Sequence, residues 1–181
     1  MHILPTAISD VIIIEPKIIQ DYRGWFFESF NEEGFKELLG DNIKFVQDNN
    51  SMSIQNVLRG LHYQIDRPQG KLTRVVQGEI FDVVVDIRRS SPTFGQHVST
   101  VLSSYNKRIL WIPPGFAHGF LALSKYAEVS YKLTDYWVPE KARVIAWNDP
   151  DLTIPWPITA CPILSENDKA GIRFKAAEVF E

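Results

Sequence analysis

The sequence predicts an all-β fold, a two-sheet sandwich or closed barrel, on three observations. Most of the 181 residues fall into short apolar stretches broken by Gly, Pro and Asn, the pattern of antiparallel strands and their turns. These stretches do not alternate with the helical segments that βα units require. Apolar residues make up 45% and aromatics 12% of the chain, a globular profile rather than that of a disordered chain. A chain of this length buries roughly 70% of its unfolded surface in one core. No repeat, low-complexity run or linker interrupts it, so a single domain over residues 1–181 is expected, with the barrel at about 45–145.

Strands are expected near 11–14, 25–30, 56–64, 71–77, 79–87, 97–103, 108–112, 118–123 and 127–133. The first two are runs of β-formers with few neighbours to pair with, so they could lie at a sheet edge or against a second subunit. Between them and the barrel, residues 31–39 read as a helix. Asn31 can cap it, Glu32 and Glu33 complement its dipole, Phe35, Leu38 and Leu39 form its apolar stripe, and Gly40 can end it. A second, shorter helical stretch covers 165–171, where Ser165 can cap with Asp168 at the third helical position.

Composition also excludes partners. The net charge of -3 lacks the concentrated basic face that nucleic acid needs. Met1 to Asp10 contains no basic segment leading into an apolar one, and no apolar run approaches a membrane span, so a cytoplasmic protein is expected. Cys161, the one cysteine, precedes Pro162 with no histidine nearby. It can form no internal disulfide, belongs to no zinc cluster and has no base to activate it.

Chemistry concentrates in two segments. Asn56 to Gln64 places Arg59 and His62 in an otherwise apolar strand. Such groups need a polar cavity or satisfied partners. Strict alternation would point them to opposite faces, but Gly60 could host a bulge that turns both toward one cavity. A rim arginine and a core histidine is the other reading of this segment. The second segment, Trp111 to Phe120, turns on Pro114-Gly115 and presents His118 at the start of a strand. Pro113-x-Gly115-x-x-His118 resembles the second signature of the cupin superfamily, and Gly60 and His62 resemble its first. A metal-binding cupin would carry His-x-His and a downstream acid. This chain has Gln64 at the second ligand position and Lys71 where the acid is sought. Two imidazoles alone make a poor zinc or iron site, so a metal-free barrel is expected.

A pocket of His, Lys, Arg and Tyr suits proton transfer beside a carbonyl. Removing an α-proton of pKa about 19 with an imidazole near 6.5 leaves roughly 16 kcal/mol to be offset by stabilising the enolate. Lys71 and His118 are the candidates for that task. Inversion also needs an acid on the opposite face of the carbon. In Ala127 to Leu133 the odd positions are apolar except Tyr131, so its hydroxyl points inward with Val129 and Leu133. A core tyrosine bonding a carbonyl is the alternative. Asp82 and Asp86 share one strand face and form either a polar network behind these groups or ordinary structural contacts.

The chain as a whole resembles the dTDP-4-dehydrorhamnose 3,5-epimerase family. The resemblance is carried by Arg23-Gly24-x-Phe26-x-Glu28, Gln47-x-Asn49-x-Ser51, Arg59 to His62, Gln69 to Leu72, Phe81 to Arg88, Ser91 to Gly95, Pro114 to Phe120 and Leu164-Ser165-x-x-Asp168. It implies a cupin-type jelly-roll homodimer, with a few short flanking helices, that inverts C3 and C5 of dTDP-4-dehydro-6-deoxy-glucose without a cofactor. It further implies His62 as base, Asp168 as its orienting carboxylate and Tyr131 as acid. Lys71 and His118 would lie near the enolate oxygen and Arg59 near sugar and phosphate. Arg23, Glu28, Gln47 and Asn49 would hold the nucleotide, some of them from the partner subunit. Two positions depart from the family pattern: Ala142 stands where Glu is frequent and Asn167 where Lys is frequent. A single-centre epimerase acting on a related 4-ketosugar, a metal-dependent cupin oxygenase or isomerase, and a non-catalytic sugar-binding cupin are the competing readings.

Overall fold

The computed structural model describes all 181 residues. Thirteen strands and two short α-helices follow in chain order: β1 (His2–Pro5), β2 (Ile12–Glu15), β3 (Ile19–Asp21), β4 (Gly24–Phe26), α1 (Glu32–Leu39), β5 (Gln47–Ile54), β6 (Leu58–Gln64), β7 (Lys71–Gln77), β8 (Glu79–Asp86), β9 (His97–Ser103), β10 (Ile109–Ile112), β11 (Phe116–Ala122), β12 (Tyr126–Leu133), β13 (Ala142–Val144) and α2 (Glu166–Lys169). A six-stranded sheet in the order β1-β2-β10-β7-β12-β5 faces a five-stranded sheet in the order β13-β6-β11-β8-β9. Neighbouring strands in both run antiparallel.

Period-2 alternation dictates what lies between the sheets. Val75, Val129, Leu110 and Ile112 of one sheet meet Ile80, Val84, Phe116 and Phe120 of the other in the principal core. Leu61, Tyr63, Val83 and Val85 point the other way and are covered by the C-terminal segment through Leu152, Ala177 and Phe180. Helix α1 seals the outer face of the six-stranded sheet, with Phe35 packed over Ile14, Leu72 and Ile109. Its ends are those expected, since Asn31 accepts from Gly34 N and Gly40 N closes onto Lys36 O. Helix α2 is shorter than the expected 165–171, a single turn capped by Ser165.

Four differences from the expected strands have physical causes. Strand β5 (QDNNSMSI) lacks apolar alternation because its inward residues, Asn49 and Ser51, sit opposite Tyr131 and Val129 on a partly polar face. The stretch expected at 25–30 is extended only at Gly24–Phe26, where it pairs with Ile19–Asp21 in a hairpin separate from both sheets. The run at 11–14 is not left for a partner, because β2 pairs with β10 of its own sheet and is itself covered by β1. The short edge strands β1 and β13 carry too few residues for a sequence pattern to register.

One irregularity positions the site. His118 pairs with His62 and Phe120 with Arg59, so Gly60 and Leu61 of β6 oppose the single Gly119 of β11. This two-against-one bulge puts Arg59 and His62 on the same, inward face, as a glycine bulge can and strict alternation cannot. Gly60 has φ of +116, and a Cβ there would come within 2.6 Å of Gly119 Cα and His118 O. Gly60→Ala is therefore expected to cost about 3 kcal/mol in urea unfolding; a loss under about 1 kcal/mol would show that the bulge tolerates a side chain.

Candidate active site

A cavity of about 270 Å³ opens between the sheets at the β6, β7 and β12 end, where His62, Lys71, Tyr131, Asn49, Trp137 and Asn167 line it. The two sheets contribute opposite walls. His62 stands on the five-stranded sheet, Lys71 and Tyr131 on the six-stranded one.

His62 Nε2 lies 2.6 Å from Asp168 Oδ1. That same carboxylate oxygen accepts the Gly60 N–H at 2.9 Å, and the Ser165 hydroxyl donates to the other oxygen at 2.6 Å. Asp168 is buried at the start of α2, whose cap bond from Asp168 N to Ser165 Oγ closes the turn. Burial pushes its carboxyl pKa up, but the hydrogen bonds from His62, Ser165 and the Gly60 N–H outweigh burial and hold it at about 2. An ionised Asp168 fixes the ring in the tautomer that donates Nε2–H and leaves the Nδ1 lone pair free.

Behind His62 lies a buried polar row. His118 is the cross-strand neighbour of His62, and its Nε2 reaches the fully buried Asp82 carboxylate at 2.9 and 3.0 Å. Burial lowers the His118 pKa against the pull of Asp82. Lys71 Nζ donates to the His62 carbonyl at 3.3 Å. Burial draws the Lys71 ammonium down to about 8, with Asp82 opposing, so the site keeps a cation at neutral pH. Asp86, the other acid on this face of β8, plays no part here. It is consumed by Arg88, Ser91 and Thr93, and those bonds hold it at about 2 despite its burial.

The remaining expected residues divide. Asn49 lines the cavity, and Gln47 Nε2 donates to Asn49 Oδ1 at 3.0 Å. Arg59 faces inward but stays outside the lining, donating to Ser53 Oγ at 3.0 Å and to the Met52 carbonyl. Arg23 pairs with Asp21 on the exposed β3–β4 hairpin, and Glu28 accepts from Asn31, so neither joins the cavity of its own chain. Both departures from the family pattern, Ala142 and Asn167, fall in the cavity wall. Trp137, Gln64, Gln69 and Arg143 are lining residues that sequence reasoning did not select. Gln64 and Gln69 stood in the sequence motifs without a binding role, and the signal for Trp137 is its pairing with Tyr136 in one turn, both more than half exposed. No three His, Cys, Asp or Glu side chains converge as a ligand set. Gln64, at the second cupin ligand position, spends both ends of its amide on loop backbone.

Residues 5–176 match the pattern of the dTDP-4-dehydrorhamnose 3,5-epimerase family. The dTDP-4-dehydrorhamnose 3,5-epimerase of Pseudomonas aeruginosa is 58% identical over 174 residues, 96% of either chain. That of Salmonella typhimurium is 56% identical over 172 residues, 94% of either chain. Among solved structures, the dTDP-6-deoxy-D-glucose-3,5-epimerase of Legionella pneumophila, in complex with dTDP-4-keto-L-rhamnose, superimposes with a TM-score of 0.96 at 51% identity, covering 98% of this chain and 94% of that one. The architecture is thus the cupin-type barrel that the two histidine motifs suggested.

Asp168 offers a thermodynamic test. Its folded pKa of about 2 lies below the ordinary 3.8, so its stabilising contribution is complete above that range and is lost as pH falls through it. The stability difference between wild type and Asp168→Asn, followed by urea unfolding, is expected to narrow by up to about 2 kcal/mol on acidification below about pH 5. A pH-independent difference would mean that the carboxylate is not held ionised by these bonds.

Proposed function

Because the chain belongs to the dTDP-4-dehydrorhamnose 3,5-epimerase family, we propose that it inverts C3 and C5 of dTDP-4-dehydro-6-deoxy-glucose, with His62 and Tyr131 as the proton-transfer pair. The observation that carries this reading is that an aspartate-held histidine and a tyrosine face one cavity from opposite sheets. A sugar ring lying between the walls then meets a base on one face and an acid on the other, which is what inversion requires.

In the proposed sequence His62 takes the proton from the carbon next to the C4 ketone, and the electron pair moves onto the C4 oxygen. The resulting imidazolium is stabilised by the ionised Asp168. Lys71, cationic below about pH 8, and the His118–Asp82 pair stand at the back of the cavity to meet the enolate charge. Burial strengthens that interaction, because a charge in a dry site is poorly screened. Tyr131 then gives its phenolic proton to the opposite face, and exchange with solvent resets both groups before the second centre reacts.

Asn49 and Gln47 hold the nucleotide end in this reading, with Arg59 beside them. Arg23 and Glu28 reach a site only across a homodimer, in which the β3–β4 hairpin of one subunit enters the cavity mouth of the other. The separate hairpin, with Tyr22, Trp25 and Phe26 exposed, supports that arrangement. No helix is long and apolar enough to cross a membrane, and a nucleotide-sugar substrate implies a cytoplasmic location.

Deuterium incorporation from solvent, read by NMR on the 4-ketosugar nucleotide, tests the reaction. Wild type is expected to label C3 and C5, and label at one carbon alone would replace this reading with single-centre epimerisation. His62→Ala is expected to lose exchange and epimerisation together. Tyr131→Phe is expected to retain exchange while inversion falls by about 100-fold or more; equal losses of both would remove Tyr131 as the separate acid. The exchange rate is also expected to decline above an apparent pKa near 8 as Lys71 loses its proton, and a flat profile to pH 9 would count against a cationic Lys71 in the enolate step.

A further inference from the structure

The 134–138 turn brings Trp137 into the cavity wall and is held far more tightly than an exposed turn requires. The peptide joining Tyr136 to Trp137 is gripped at both ends. Its carbonyl accepts Gln64 Nε2 at 3.1 Å and its N–H donates to Gln47 Oε1 at 3.0 Å. The next peptide is also taken, because Val138 N donates to Gln64 Oε1 at 2.7 Å. Both peptide planes flanking the Trp137 Cα are therefore fixed, one glutamine coming from each sheet. Gln64 is buried and also donates to the Arg67 carbonyl at 2.6 Å, so both N–H donors of its amide are spent on loop backbone and its oxygen is engaged by Val138 N. Gln69 Nε2 holds the Asp135 carbonyl at 2.8 Å, and Arg67 pairs with the Asp135 carboxylate.

What this clamp presents is an aromatic ring. Trp137 lines the cavity with His62 and Tyr131 yet is 59% exposed, an apolar plate that a bound ligand would cover. We propose that Gln64, with Gln47, is a positioning residue that sets Trp137 as the packing wall for the nucleotide sugar at the cavity mouth. The position that would bear a metal ligand in a cupin is thereby used to shape binding. A pinned plate costs a ligand little ordering entropy, whereas a free turn would have to be immobilised at each binding event. The same reasoning makes Gln64 act on affinity through Trp137 and leaves proton transfer at His62 almost untouched.

This inference rests on the nucleotide-sugar reading above, and a double-mutant cycle separates the two. Gln64→Met keeps the side-chain length and removes the amide, and Trp137→Ala removes the plate. Each is expected to weaken dTDP binding, by calorimetry, and to raise KM by about tenfold, with kcat changed less than about threefold. The double variant is expected to be no worse than Trp137→Ala alone, since Gln64 then has nothing left to position. Gln64→Glu, which keeps the acceptor for Val138 N and removes both donors to the turn, provides a second variant should Gln64→Met fold poorly, and the same non-additivity is expected of it. Additive penalties, or unchanged dTDP affinity in a folded Gln64→Met, would overturn the proposal even if wild type epimerises normally. A wild type that binds dTDP and shows the non-additive cycle without epimerising its sugar nucleotide would sink the reaction reading and leave the clamp standing.

Discussion

The site depends on the close approach of β6 and β11 at Gly60 and Gly119. Two residues of β6 oppose one of β11 there, and this single offset does three things at once. It brings Arg59 and His62 to the inward face, it sets His62 beside His118, and it frees the Gly60 N–H from the ladder to bond the carboxylate that holds His62. That backbone donor joins His62 and Ser165 in keeping a buried acid ionised, because burial alone would have favoured its neutral form. The base, its orienting group and its neighbour thus trace back to one packing contact in which neither residue can carry a Cβ.

Placing the proton-transfer groups on two sheets has an energetic side. Antiparallel sheets packed face to face ordinarily close on apolar side chains, and here they do so over Val75, Val84, Val129 and Phe116. Toward the open end the same inward rows continue as Lys71, Tyr131, His62 and Asn49, so the cavity is the core run out of apolar residues. A buried ammonium there is unfavourable to the fold, which is why burial draws Lys71 down to about 8. The return on that strain is a cation in a poorly screened site, where it interacts strongly with developing negative charge.

The outer layers keep these walls still. Helix α1 seals one sheet and the C-terminal segment the other, where the Tyr63 hydroxyl donates to the Glu178 carbonyl at 2.6 Å. Glu178 in turn takes Arg143 of the cavity wall at 2.9 Å. Asp86, gathered by Arg88, Ser91 and Thr93, ties the turn after β8 without touching the site. The acidic residues of the inward face thus split into Asp82, which serves His118, and Asp86, which serves a turn.

Local pattern determined much of this protein. Alternation located most of the barrel strands and turned Tyr131 inward, and capping residues marked both helices. Gly60 signalled a bulge, and the order of motifs identified the family. These features depend on neighbours in the chain, which is why they were legible there. Strand β5 was not, because its inward polar side chains serve a cavity rather than a core and so break the apolar rhythm. Nor was the clamp on Trp137, since Gln47 and Gln64 come from different sheets and mean nothing until the fold brings them to one turn. Arg23, Glu28 and Arg59 look alike in sequence as polar candidates, and only the tertiary structure separated them from the groups that share a cavity. Which residues are polar and which strand face they occupy is written locally; which of them meet is settled by the packing of two sheets, because contact across the barrel is set by distance in space and not by distance along the chain.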